Sequence, residues 1–331
     1  VSALIDPEAL NLNISLLSES SPDVKSQLLF LKNEFVSGDV LVGDAELTAG
    51  DVRGLSVSAK LGHVKLQPWV DFIQQNINGT GDAESNVLKR IDLDVNDLDA
   101  FGQNFRSIKA IVTKPKEAWQ IGLSGESIQG KALLPTENTV LDVQLDHLFL
   151  TSDVKNQKTS ESEALDPRKI PEIKFATKKL VKDNVNYGAW KARVLPNEQG
   201  VVFKGIKGKI DGTNFNGQLN WKLDDSVQGT NAHTSILTMD VKGQKFEALL
   251  EAIGKDPLVS SEQFDSNVSL VWPGTPPDFK LAKVSGSIVL KMENGFLNTE
   301  DAKTGALRVF GILNAESIMR RLKLDFSDLY K

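Results

Sequence analysis

Hydrophobic and polar residues alternate along most of this chain. Leu10, Leu12, Ile14 and Leu16 are separated by Asn11, Asn13 and Ser15, and Leu55, Val57, Ala59 and Leu61 by Ser56, Ser58 and Lys60. The same period recurs in Ile91-Leu93-Val95, Trp119-Ile121-Leu123, Leu141-Val143-Leu145 and Trp190-Ala192-Val194. It returns in Leu219-Trp221-Leu223, Val268-Leu270-Trp272 and Ile288-Leu290-Met292. Successive side chains of a strand point to opposite faces, so each run predicts a strand with one apolar and one polar side. Strands buried on both faces, as in parallel α/β sheets, would read as unbroken apolar runs. The pattern therefore predicts a mainly β protein built on a predominantly antiparallel sheet. Turn signals at Asn78-Gly79, Asn197-Glu198-Gln199-Gly200, Asp211-Gly212 and Asn294-Gly295 separate the runs.

Helical spacing is confined to three places. Residues 66–77 carry Pro68 in a first-turn position, with Trp69, Phe72, Ile73 and Ile77 on one side. Residues 244–253 carry Phe246, Leu249, Leu250 and Ile253 and stop at Gly254, a helix C-terminal signature. The third lies within Gly305 to Leu322, where Asn314 suits an N-cap and Glu316 the first turn. The stretch 152–170 is polar and charged and reads as a loop or linker. The expected organisation is thus a β segment over 1–151, this linker, a second β segment over 171–300, and a helical end over 301–331. The two β segments look alike. An ungapped shift of 82 residues places Ile91, Leu93 and Leu98 on Ile173, Phe175 and Leu180, and Phe105, Ala110, Val112 and Ile121 on Tyr187, Ala192, Val194 and Phe203. We read this as an internal repeat of a β-meander.

Composition narrows the chemistry. The 331 residues include 38 Lys+Arg and 44 Asp+Glu, a net charge of −6, which argues against a general nucleic-acid binder. Without cysteine there are no disulfides, thiolate metal sites, iron–sulfur clusters or thiol nucleophiles. His63, His147 and His233 have no HExxH or HxH spacing. There is no GxSxG, P-loop, GxGxxG after a strand or EF-hand loop. The carboxylate pairs Asp92/Asp94 and Asp224/Asp225 read as solvated strand faces or turns. No catalytic residue, metal or cofactor is expected, and a monomer is favoured. No run approaches 18 consecutive apolar residues, so no spanning helix is expected. The chain opens on Val1 without a signal peptide and stops at Lys331, and both ends read as cut from a longer protein.

Particular motifs carry a family resemblance. The stretch GALRVFGILNAESIMRRLKLDFSDLYK from Gly305 to Lys331 is similar to the C-terminal signature of the YhdP-type members of the AsmA-like superfamily. So is Trp272-Pro273-Gly274-Thr275-Pro276-Pro277-Asp278-Phe279, taken with Gly286-Ser287-Ile288-Val289-Leu290 and Asn294-Gly295-Phe296. The segments Leu93 to Phe105 and Asn184 to Val194 resemble the repeating strand units of that family. The resemblance implies a long sheet folded lengthwise, taco-like, into an open, apolar-lined groove. It implies a protein anchored in the inner membrane by an N-terminal helix and carrying phospholipid across the periplasm to the outer membrane of a Gram-negative envelope. That anchor is absent here, so a C-terminal portion without full transport activity is expected.

The candidate lipid-lining residues are Ile91, Leu93, Val95, Ile108, Val112, Trp119, Ile121, Leu123, Ile173, Phe175, Trp190, Val194, Phe203, Leu219, Trp221, Leu223, Val268, Leu270, Trp272, Ile288 and Leu290. Alternation alone leaves open whether these faces line a groove or fill a β-sandwich. A filled sandwich would instead suit an envelope scaffold or adhesion module binding protein or glycan, and a closed pocket a soluble carrier.

A second candidate surface lies at the end of the chain. From Lys303 to Lys331 six Lys/Arg face three Asp/Glu, a local balance of +3. Leu307, Phe310, Ile312, Leu313, Ile318, Met319 and Leu322 lie among Arg308, Arg320, Arg321 and Lys323. This mixture suits contact with anionic lipid headgroups, or with an outer-membrane partner. It equally suits a cap over the last strand edge. If it rests on membrane, Arg320→Glu with Arg321→Glu weakens binding of the folded chain to anionic vesicles. Unchanged binding leaves only the cap.

Overall fold

The computed structural model describes residues 3–6, 9–17, 22–46, 53–65, 87–100, 103–114, 118–135, 140–151, 166–226, 232–257 and 259–297. The expected helix at 66–77, most of the polar linker and the whole 301–331 segment, with all eleven of its membrane-contact candidates, lie outside these residues. The chain divides into two compact units, residues 1–148 and 149–331.

The first unit contains β1 (Ala3–Asp6), β2 (Ala9–Leu16), β3 (Val24–Leu31), β4 (Glu34–Gly43) and β5 (Gly54–Lys65). It continues with β6 (Leu88–Ala100), β7 (Gln103–Thr113), β8 (Ala118–Ser124), β9 (Ile128–Pro135) and β10 (Leu141–Leu150). Each strand pairs with the next in sequence. These pairs are antiparallel except at β5, which runs parallel to both β4 and β6. The connections differ accordingly. Lys32 and Asn33, with φ of 49° and 70°, form a two-residue loop between antiparallel β3 and β4. Residues 44–53 and 66–87 separate the parallel neighbours, lengths that allow the chain to return along the strand direction.

The second unit contains β11 (Ile173–Thr177), the β12–β13 hairpin (Leu180–Lys182 and Val185–Asn186), β14 (Ala189–Asn197), β15 (Gly200–Ile210), β16 (Thr213–Leu223) and β17 (His233–Gly243). Helix α1 (Phe246–Ala252), β18 (Val259–Ser260), β19 (Gln263–Pro273), β20 (Ser285–Glu293) and β21 (Phe296–Leu297) complete it. The sheet runs β11-β14-β15-β16-β17-β19-β20, all antiparallel, and β18 pairs separately with β21. The expected turn at Asp211-Gly212 has both φ values positive, 39° and 81°, as a tight hairpin requires. Helix α1 starts slightly later than the sequence spacing predicts and ends at Ala252, with Ile253 as its C-cap and Gly254, whose φ is 72°, just beyond.

The repeat is visible in the pairing itself. Ile91 faces Val112 and Leu93 faces Ala110, while 82 residues later Ile173 faces Val194 and Phe175 faces Ala192. Leu98 faces Phe105, and correspondingly the Tyr187 amide donates to the Leu180 carbonyl. Val112 faces Ile121 as Val194 faces Phe203.

Irregularities keep the apolar side chains on one face. In β15 the register with both neighbours shifts by one residue around Gly205, whose φ is 61°. Phe203 before it and Ile206 after it therefore share a face despite their opposite parity. In β5, β6 and β7 the pairing skips Gly62, Asn96 and Ser107, with a φ of 52° at Ser107, and resumes in the same register, Val64 facing Leu98 and Leu98 facing Phe105.

Three clusters pack this face in the second unit. Ile210, Val241, Phe264 and Leu249 of α1 form one, joined by Trp190, Phe215 and Phe246. Val194, Val201 and Trp221 form another with Ile170 and Ile173, and Leu270, Trp272 and Val284 a third. The Trp190 ring covers Gly208, where an added Cβ would lie 2.5–2.6 Å from three ring atoms. Gly208→Val therefore displaces the ring and is expected to cost about 1–3 kcal/mol, measured as a lower urea midpoint. An unchanged midpoint would mean that Trp190 moves aside freely.

Candidate functional site

Every candidate lining residue falls on the apolar face of its own unit. Following the pairing across the first unit gives an unbroken row, one side chain per strand. The row is Ile14, Ser26, Val40, Val57, Ile91, Val112, Ile121, Ala132 and Val143. Eight steps of about 4.8 Å carry it roughly 38 Å across the strands. Beside it lie Leu93 and Leu123, each opposite Ala110 or Gly130 of a neighbouring strand, and Val95 opposite Ile108. Trp119 faces Leu134, and its ring lies 5.3 Å from the Lys114 ammonium.

The second unit repeats the arrangement. Ile173, Val194, Phe203, Leu219, Leu237, Leu270 and Gly286 form a row over seven strands. Its first three members are the repeat counterparts of Ile91, Val112 and Ile121. A neighbouring row holds Ile206, Gly217, Met239, Val268 and Ile288. Phe175 and Leu290 share the face. No ionisable side chain stands in either row.

Burial separates these residues into two kinds. Phe175, Phe203, Leu219, Leu237, Met239, Val268, Ile288 and Leu290 are half-buried, so each keeps some surface open. The tryptophans are held by the protein. The Trp190 indole N–H donates to the Tyr187 carbonyl at 2.6 Å, that of Trp221 to His233 Nδ1 at 3.1 Å, and that of Trp272 to the Thr275 carbonyl at 3.1 Å. Trp221 and Trp272 are only 6 % and 4 % exposed, which makes them walls more than lining. Leu223 ends its strand beside His233.

Sequence reading omitted Leu237 and Met239, because β17 opens with His233 and Ser235 and its alternation is diluted by Thr234 and Thr238. It also omitted Ala132, Ile206 and Gly217, whose small size or bulge-shifted parity hides them. The run Ser235-Leu237-Met239-Val241 was the available signal.

The apolar middle is bounded by polar chemistry at one end. His233, 3 % exposed, accepts from Trp221 through Nδ1, so its proton sits on Nε2. Near it, Asp166 caps the short 3₁₀ turn Pro167–Lys169 by accepting from the Arg168 backbone N–H at 2.9 Å. The Arg168 guanidinium bridges Asp166 (2.8 Å) and Asp225 (2.7 Å), which ties that turn to the end of β16 and holds the Asp166 carboxyl below its usual range.

Burial pushes the His233 imidazole below its ordinary value of 6.5, against the opposing pull of Asp278 and Asp166. The unfolded chain therefore binds the proton more readily than the folded one. The stabilisation that His233 brings is complete at neutral pH and is lost as pH falls below about 6.5. Comparing wild type with His233→Asn by thermal unfolding from about pH 7.5 down to about pH 5 should show the wild type losing stability more steeply. Parallel pH profiles would refute the coupling.

Among the described residues no helix is long and apolar enough to cross a membrane. No curated protein and no solved structure matches the chain. The family model described as "YhdP protein" matches residues 4–331, nearly the whole length. Its span takes in both copies of the repeat and every strand that builds the two apolar rows, so the chain belongs to the YhdP family.

Proposed function

We propose that this chain carries phospholipid acyl chains along the apolar faces of its sheets, as part of a route through the periplasm between the inner and outer membranes. Family membership supports a bridge-like lipid-transport role. The carrying observation is the uncharged rows that cross the strands, in which most side chains are half-buried and Ala132, Val194 and Leu270 are buried.

The energetics agree. An acyl chain of about 16 carbons meets roughly 12 kcal/mol of unfavourable hydration at about 0.8 kcal/mol per methylene, so a path through water needs continuous apolar surface. A row directed across strands supplies that continuity, because each strand contributes one side chain and the next lies about 4.8 Å further on. The role is transport, not catalysis, and needs no cofactor. A filled sandwich requires a second sheet stacked on the first. Among the described residues, each unit pairs its long strands into a single neighbour-to-neighbour order, and the remaining sheet is the two-stranded β18–β21. The packed clusters likewise join adjacent strands to α1 or to turns.

Photo-crosslinking side chains placed at Phe203, Leu219 or Val112 should capture phospholipid from a membrane extract, while one at Asn220 on the opposite face should not. Leu237→Glu, which sets a carboxylate in the row, should reduce captured lipid at least about tenfold, given the cost of burying a charge. Absence of lipid from all three positions, with the fold intact by circular dichroism, would favour the scaffold reading.

A further inference from the structure

The polar face of the second unit carries an unusual concentration of positive charge. Strands β11, β14 and β15 contain no Asp or Glu. Their six cations, Lys174, Lys191, Arg193, Lys204, Lys207 and Lys209, all stand on the side opposite the apolar rows, and all are exposed. Pairing sets them against one another: Lys174 faces Arg193, Arg193 faces Lys204, and Lys191 faces Lys207. Like charges directly opposite each other destabilise a sheet. Arg193 is relieved by Glu172 at 2.6 Å, but Lys191, Lys204, Lys207 and Lys209 have no carboxylate partner among the described residues.

The repeat provides an internal comparison. At the equivalent positions of β6, β7 and β8 the first unit has Asp92 for Lys174, Asp94 for Ala176, Ile111 for Arg193 and Gly122 for Lys204. There Asp94 pairs with Lys109 at 3.7 Å and Asp92 with Arg90 at 2.6 Å. Within the second unit the excess also stops abruptly. The outward residues of β16 from Asn214 to Asn220 are amides, and Lys242 further on is neutralised by Asp265 at 2.8 Å. The same scaffold therefore takes a balanced surface in one copy and an unbalanced cationic one in the other, inside a chain of net charge −6.

We propose that the outward face of β11, β14 and β15 binds the anionic headgroup surface of a phospholipid bilayer. Five of the six cations are lysines, compact point charges suited to many phosphates without fixed bidentate geometry. The face presents no aromatic residue, and lysine is depleted at protein–protein interfaces, so a protein partner suits it poorly. The charges spread in two dimensions, about 5 Å apart across strands and about 7 Å along them, which matches a plane of headgroups better than a linear polyanion. Contact of this kind is electrostatic and weakens with salt.

The test is flotation of the full chain with vesicles of phosphatidylglycerol in phosphatidylethanolamine, at low and high salt, alongside phosphatidylcholine vesicles. Each neutralised cation at an anionic surface is worth about fivefold in affinity, so Lys191→Gln with Lys207→Gln should weaken binding to the anionic vesicles about 25-fold and reduce its salt dependence. The same variant should melt at an unchanged or higher temperature, because a like-charge pair has been relieved. Lys25→Gln with Lys131→Gln, an equal charge change on exposed strand positions of the first unit, should alter binding less than about twofold, since single surface charges outside the contact are screened. Binding of the first variant within twofold of wild type overturns the proposal. An equal loss in the control variant overturns it too, as does a lower melting temperature, which would assign the cations to an intramolecular contact. Loss of self-association in the ultracentrifuge with vesicle binding intact would assign the face to a second copy of the chain and likewise overturn it.

Discussion

The arrangement rests on cross-strand register. A strand's side chains alternate with a period of two, so a slip of one residue between neighbours would send a whole strand's apolar set to the opposite face. A row such as Ile14 to Val143 exists only because eight successive pairings are in register at these residues, although β3–β4, β5–β6 and β9–β10 each shift register elsewhere. Where the chain departs from strict alternation, a compensating irregularity restores the face. Gly205 adds one residue to β15 against both neighbours, and Ile206 thereby stays in line with Gly217 and Met239. The positive φ at Gly205 has open space around it, so glycine is needed there for its backbone conformation and not for a close approach.

Strand existence and facing were legible because alternation is a local signal. Most of the lining candidates could be named from parity alone, and the tight turn at Asp211-Gly212 from its residue types. The direction of β5 was not legible. Its alternation of Leu55, Val57, Ala59 and Leu61 against serine and lysine reads the same whether its neighbours run with it or against it. Direction is set by the length and path of the flanking connections, which parity does not encode. Burial was equally hidden. Trp221 and Leu219 are neighbours on the same face of the same strand, yet one is walled in by His233 and Val201 and the other keeps open surface. Among the neighbours of Trp221 is Ile170, which directly follows the turn at Pro167–Lys169 and is distant in sequence from β16.

The repeat explains why two such faces occur in one chain. Equivalent residues make equivalent pairs in both copies, and the apolar positions are kept in kind: Ile91 and Ile173, Val112 and Val194, Ala110 and Ala192. The polar positions are free of that constraint, since an outward side chain neither fixes register nor fills the face. Charge can therefore change between copies without altering the strand order, and between Asp92 and Lys174 it reverses sign.

This separation of duties between the two sides of a sheet bears on how the proposed lipid carriage and the proposed surface contact would coexist. A closed barrel or a filled sandwich commits its inner side to packing. In the second unit the packed clusters run from α1 and the short turns into the rows themselves, where Leu219, Leu237, Val268 and Ile288 pack against Leu270, Trp272 and Val284. The tryptophans belong to those clusters, anchored by their indole N–H groups to Tyr187, His233 and Thr275. The row side chains are uncharged and make only non-directional apolar contacts, so the partly exposed ones among them, such as Phe203, Leu219 and Leu237, could exchange one apolar neighbour for another. The same absence of directional partners would make the rows indifferent to which segment of an acyl chain met them, as the proposed movement along a path requires.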